Sequence, residues 1–184
     1  VTPPHDPAAA RRNRLVRIES IGDHPDLVET VARWQWEEWG HLDPADSLAT
    51  RIASLRDQKS HDRIPATYIA LNDAEPLGSA SLVAHDMSTH RELSPWLASV
   101  YVTPAARGRG VASALVRHAV AQTAAMGVAR LYLYTENAQG LYEKLGWRVI
   151  ATERFQGHSV TIMAIDPVPE PTIVTRGRIR NAGG

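Results

Sequence analysis

The chain has 184 residues, 43% of them hydrophobic, and its 20 basic and 20 acidic side chains give a formal net charge of zero. A chain of this length buries roughly 70% of the surface its unfolded form exposes, which favours one well-filled core. The charge balance argues against a nucleic-acid partner, the lack of cysteine excludes disulfide frameworks, thiolate nucleophiles and thiolate metal sites, and no apolar run is long enough to span a bilayer, so a cytoplasmic protein without a membrane partner is expected.

Residues 1–13 show no hydrophobic period and read as an N-terminal arm ahead of one domain over 14–166. Arg14-Leu15-Val16-Arg17-Ile18 reads as a first strand. Pro25 behind Asp23 or His24 suits a first helical turn, after which Leu27, Val28 and Val31 recur on one side. At 100° per residue, Trp34 and Trp39 fall on the two margins of that stripe and Trp36 lies outside it. Asp43-Pro44 repeats the start signal for a second helix carrying Leu48, Ile52 and Leu55 and ending near Lys59. From Pro65 the period becomes two. Ala66 to Leu71 and Leu77 to Ala84 read as strands joined by the turn-rich Asn72-Asp73-Ala74-Glu75-Pro76. Trp96 to Val102 is a further strand, with Pro95 tolerable only at its start.

Ala112, Leu115, Val116, Ala119, Val120, Thr123 and Met126 then form a helical stripe that stops at Gly127. Arg130 to Thr135 alternates as a strand, Ala138 to Leu145 is a short helix ended by Gly146, and Trp147 to Phe155 and Val160 to Ile165 make a closing hairpin around Gln156-Gly157. Pro167, Pro169 and Pro171 mark 167–184 as a proline-rich tail. The order βααβββαβαββ specifies a mixed α/β (α+β) domain with seven strands and four helices.

One turn carries chemistry. Between a strand ending at Val102 and a helix starting near Gly110, the stretch Arg107-Gly108-Arg109-Gly110-Val111-Ala112 aims unpaired backbone N–H groups at one point, where a helix N-terminus attracts a phosphate. Gly108 and Gly110 let the anion approach the backbone, and Arg107 and Arg109 add charged donors. The spacing fits neither a Walker loop nor the dinucleotide fingerprint. By itself the turn is an anion site or an Arg/Gly-rich surface turn.

The hexapeptide matches the Arg/Gln-x-x-Gly-x-Gly/Ala signature of the GNAT acetyltransferase superfamily at Arg107, Gly110 and Ala112. The segment Gly140-Leu141-Tyr142-Glu143-Lys144-Leu145-Gly146-Trp147 resembles the family's second signature, in the same order and at the usual separation. Element order extends the resemblance to about 15–166, while motifs carry it only from about Pro95 to Trp147. It implies a GNAT fold with a mostly antiparallel, mixed seven-stranded sheet. It also implies acetyl-CoA as donor in a V-shaped cleft between the Trp96 to Val102 and Arg130 to Thr135 strands. The backbone of Val100, Tyr101 and Val102 would lie along the pantetheine arm, the amides of Arg107 to Ala112 would hold the pyrophosphate, and an N–H near Val100 would face the oxyanion.

Transfer of an acetyl group to an amine needs a neutral amine, a stabilised oxyanion and a proton for the departing thiolate. Tyr142, at the position of the family's acid, is the expected proton donor. Trp96 stands where some relatives have a glutamate base, which leaves Glu92, His90 and Asp86, just upstream, as candidates. Thr135 occupies a place that is often Asn in the family, with Asn137 close by; both are expected near the cofactor. Trp34, Trp36, Glu37 and Glu38 offer aromatic faces and carboxylates to a cationic acceptor. No His pair has metal-ligand spacing, so no metal is expected. The expected reaction is N-acetylation of a small-molecule or peptide amine through a ternary complex. A non-catalytic acyl-CoA sensor and an acetyltransferase for an RNA-linked amine are the alternatives, and a homodimer fits the resemblance.

Overall fold

The computed structural model describes residues 16–42, 45–58 and 62–168. The N-terminal arm, the start of the first strand, Asp43-Pro44, Lys59, and the tail beyond Val168 lie outside the described residues. The elements are β1 (Arg17–Ser20), α1 (Val28–Trp39), α2 (Leu48–Arg56), β2 (Ala66–Asn72), β3 (Glu75–Val83), β4 (Trp96–Val102), α3 (Val111–Ala125), β5 (Leu131–Thr135), α4 (Gln139–Glu143), β6 (Arg148–Phe155) and β7 (His158–Ile165). The expected order is met element for element. Boundaries move by a few residues: α1 begins at Val28 after a turn through Pro25, and β3 begins at Glu75, so Pro76 sits inside it at the start of the ladder. The N-terminus of α2 is set by Ser47, whose side chain accepts from the Thr50 N–H while Thr50 reaches back to the Ser47 N–H.

The seven strands form one sheet in the order β1-β2-β3-β4-β5-β7-β6. All neighbours run antiparallel except β4 and β5. Alternation along the strands assigns side chains to two faces. Tyr68, Ala80, Leu82, Leu97, Leu131, Leu133 and Met163 point to the side covered by α3, where Val111, Leu115, Val116 and Ala119 complete the main core. On the opposite face α1 and α2 cover the β1–β3 half, with Val28, Val31, Ala32 and Leu55 against Ile69 and Leu71. A buried chain of hydrogen bonds from Gln35 Nε2 to Ser81 Oγ (3.2 Å) and between Ser81 Oγ and Thr67 Oγ1 (2.9 Å) ties α1 to that sheet face. Farther along the same face, Trp96, Phe155, Val160 and Ile162 are covered by Met87 from the loop between β3 and β4, with Tyr132 and Tyr134 beside them.

The middle of the sheet is irregular in a way that matters for function. Opposite Ala80, β4 carries two residues, Ser99 and Val100: the ladder runs Ser81↔Ala98 and then Ser79↔Tyr101, and Ser99 adopts φ 51°. Such a bulge bends its strand and flips the parity of the residues beyond it. Leu97 packs toward α3, and so do Val100 and Val102, although they lie at the opposite parity. Tyr101 instead stacks on Trp34 of α1 at 5.3 Å. Beyond the single pair Trp96↔Tyr132, β4 and β5 share no register, so the sheet opens into a slot toward Val102 and Thr135. On the other side β4 presses against β3, where a Cβ at Gly78 would come so close to the Tyr101 carbonyl oxygen that the backbone would have to shift.

Among the described residues no helix is long and apolar enough to cross a membrane. The close approach of β4 to Gly78 has a measurable consequence for stability. Gly78→Ala puts a methyl group into fixed backbone, and denaturant unfolding should show a loss of about 1–3 kcal/mol; an unchanged midpoint would mean that β3 and β4 are not held so closely.

Candidate active site

The turn between β4 and α3 presents backbone amides at a helix N-terminus. Gly108 and Gly110 both take left-handed backbone, at φ 71° and 79°, and a Cβ at either would meet nothing within 4 Å, so conformation and not crowding demands glycine there. Gly110 is the N-cap of α3 and offers no side-chain cap, which leaves the first amides of a 15-residue helix pointing outward. Arg107 departs from the expected role in part: its Nε–H donates to the Val102 carbonyl at 3.1 Å, latching the turn to the end of β4. A cavity of about 290 Å³ lies at the turn, lined by Val102, Arg107, Gly108, Gly110, Val111 and Ala112 among others, with Leu141 closing it from α4.

Leu141 brings the second motif to the first. The Thr135 hydroxyl accepts from the Ala138 N–H at 3.1 Å, turning the chain from β5 into α4, so Thr135 supports that helix whatever else it touches. Asn137 beside it is exposed. Tyr142, next to Leu141, is 7% exposed, packs edge-on against Trp147 with ring centres 6.0 Å apart, and belongs to the α3-side core. Burial pushes its phenol up to about 12.

The three candidate bases separate sharply. His90 places Nδ1 2.9 Å from Glu92 and Nε2 2.8 Å from Glu153 of β6, and these two carboxylates hold its pKa above the ordinary imidazole value, Glu153 contributing most. In return the imidazole pulls the exposed Glu92 below the usual carboxylate range. A histidine that keeps its proton and a glutamate that sheds it easily are both poor bases near neutral pH. Asp86 is the opposite case. The residue is half-buried but surrounded by protein, and desolvation pushes its carboxyl up to about 7 against the lowering pull of Arg51 from α2. Its charge is felt by Tyr134, whose phenol is raised first by burial and then by Asp86 and Glu136. Asp86, next to Met87, therefore lies on the sheet face that carries Tyr134, away from α3.

Asp86 lines a second, larger cavity of about 380 Å³ together with His85, Met87, Ser88 and Arg91. The expected acceptor residues on α1 do not line it. Trp34 is engaged with Tyr101, Trp36 is 41% exposed and lies against Gly40, and Glu37 and Glu38 are exposed. Trp34 and Trp39 are half-buried, as their places on the stripe require. Leu141 stands inside the second motif, whereas Arg91 and Met87 escape a motif search because neither belongs to a signature. Of those two only Arg91 leaves a signal, as a charge in the loop that holds the base candidates.

The acetyltransferase (GNAT) family model matches residues 28–147, more than half of the chain. Several solved structures share the fold. An aminoglycoside 6'-N-acetyltransferase complexed with coenzyme A is 14% identical, with 84% of this chain and 99% of that one covered at a TM-score of 0.65. A GNAT-family acetyltransferase from Streptococcus pneumoniae is 18% identical over 83% and 99% of the two chains, TM-score 0.62. A chimeric spermidine N-acetyltransferase with a Vibrio cholerae component is 17% identical over 83% and 95%, TM-score 0.62. No curated protein sequence matches the chain.

The turn is open to test apart from activity. Gly110→Ala forces a side chain into left-handed backbone at the start of α3 and should destabilise the protein by about 1–2 kcal/mol in chemical denaturation. A variant of unchanged stability would show that the turn does not need this conformation.

Proposed function

The chain belongs to the acetyltransferase (GNAT) family, and from that premise we propose that it N-acetylates a primary amine, with donor and acceptor meeting through the slot between β4 and β5. The observation that carries this reading is the placement of the two cavities. The glycine turn opens between β4 and α3, the Asp86 cavity lies over the sheet face away from α3, and we read the slot where β4 and β5 part beyond Trp96↔Tyr132 as the passage between them. Acetyl-CoA fits the first: its pyrophosphate suits the amides of 107–112, and its pantetheine arm can pair with the backbone of Val100, Tyr101 and Val102 that β5 leaves free.

Each role then falls to a residue of the chain. Asp86, poised near neutrality, takes the proton of the incoming amine directly or through water. The amine nitrogen attacks the thioester carbonyl carbon, and the oxyanion that forms is met by backbone N–H at the Ser99–Val100 bulge. As the carbon–sulfur bond breaks, Tyr142 supplies a hydrogen bond and then a proton to the sulfur. A phenol near 12 stays protonated throughout neutral pH, so the donor is always present. Against a thiol near 8.5 the complete transfer is uphill by about 5 kcal/mol, so Tyr142 acts mainly on the charge developing in the transition state.

Thiol release against a panel of amines separates transfer from mere cofactor binding. Tyr142→Phe should lower kcat by about 100-fold while the affinity for acetyl-CoA changes by less than about threefold; full activity would remove Tyr142 from the mechanism. For Asp86 the sign is set by the raised pKa. The base works only when ionised, so kcat/KM should climb with pH and level off above about 7, and Asp86→Asn should abolish that limb. The same shift makes the folded state hold a proton that the unfolded chain releases near 4, so this group costs stability as pH rises from about 4 to 7. Asp86→Asn should therefore raise the melting temperature at pH 8 and not at pH 4. A wild-type limb retained in Asp86→Asn would assign the base elsewhere.

A further inference from the structure

The cavity that holds Asp86 also constrains the molecule that enters it. We propose that the acceptor is a small amine that also carries an acidic group, a carboxylate or a phosphate, which Arg91 holds while the amine is presented to Asp86. This rests on the acetyl-transfer reading and narrows its substrate.

The loop joining β3 to β4 bears five side chains able to carry charge near the cavity: His85, Asp86, His90, Arg91 and Glu92. Two of them are spent. His90 bridges Glu92 and Glu153, and Thr89 adds a hydrogen bond to Glu153 at 3.4 Å, so this cluster straps the loop to β6. Arg51, the cation that Asp86 feels from α2, is itself bound to Asp46, with its Nε 2.6 Å from Oδ2. His85, Asp86 and Arg91 remain, all on the cavity wall and none with a hydrogen bond or ion pair to any described residue, Asp86 and Arg91 supplying the carboxylate and the guanidinium. Met87 also lines the cavity and is 1% exposed, packed in one cluster with Trp96.

The loop is shaped in advance. Backbone bonds from the His90 N–H to the Met87 carbonyl (3.3 Å) and from the Leu93 N–H to the His90 carbonyl (3.2 Å) fix its turns, and Trp96 Nε1 donates to the Leu93 carbonyl at 2.7 Å. A cavity of about 380 Å³ is at the small end of ligand sites and suits a metabolite-sized molecule. A guanidinium and a carboxylate on the wall of one cavity, neither hydrogen-bonded to a described residue, match a molecule with both an anion and an amine. A polycation would have to bring its surplus charge against Arg91, with no second carboxylate on the wall to receive it.

Thiol release from acetyl-CoA, at equal concentrations of free amine, should be compared between β-alanine and propylamine and between O-phosphoethanolamine and ethanolamine, with spermidine as the polycation. For at least one pair the acid should exceed its neutral partner in kcat/KM by about tenfold or more, and Arg91→Gln should shrink that ratio to about twofold. Which pair shows the gap identifies carboxylate or phosphate as the anion. Neutral amines or spermidine turned over as well as the acids, or a ratio that survives Arg91→Gln, would overturn the proposal while leaving acetyl transfer standing. No thiol release from any amine, with acetyl-CoA still binding in calorimetry, would remove the transfer reading and this inference together.

Discussion

Ser99 takes a left-handed backbone conformation in the middle of a strand, and the consequences spread to both neighbours of β4. On one side the extra residue lets Tyr101 come back into register with Ser79, which is possible only because Gly78 has no side chain to strike the Tyr101 carbonyl. On the other side β4 parts from β5 after one paired position. Backbone groups in a sheet centre normally have partners on both edges, and a gap there leaves several unsatisfied. That cost is tolerable where a ligand or water supplies the missing bonds. A strand break that would be a defect elsewhere thus becomes the place where a peptide-like cofactor arm can complete the sheet.

The same break divides the labour between the two faces. The α3 side holds the glycine turn and the Tyr142 helix, joined through Leu141. The other side holds the 84–95 loop, whose charges are arranged by pairing. His90 is hydrogen-bonded to both Glu92 and Glu153. Asp86, desolvated and without a hydrogen bond or ion pair to any described residue, acquires a pKa where a base at neutral pH needs it. The strap therefore fixes the loop that carries the half-buried Asp86 carboxyl.

How much of this is legible in the sequence depends on the range of the interaction involved. The element order is legible because each element writes its own period, from the stripe at Leu115, Val116 and Ala119 to the alternation of Leu131, Tyr132, Leu133 and Tyr134. The glycine turn at 107–112 and the Tyr142 segment are legible because short-range geometry demands particular residues at Gly108, Gly110 and Gly146. The Ser99 bulge has no such mark, since serine stands where a glycine would announce positive φ. The difference between Asp86 and the His90–Glu92 pair is set by Glu153, 63 residues from His90, and by the desolvation of Asp86. No local pattern encodes either. The α1 tryptophans show the converse: Trp34, Trp36 and Trp39 sit as their helical phase requires, yet phase says nothing about which cavity they line.

The central claim is that acetyl-CoA completes the sheet at the opening beside β4. Backbone hydrogen exchange with and without acetyl-CoA tests it most directly. The account predicts slowed exchange at the amides of 107–112 and 99–102, with residues 85–91 little changed until an acceptor is added. Binding that protects neither stretch, or that protects 85–91 instead, would contradict it.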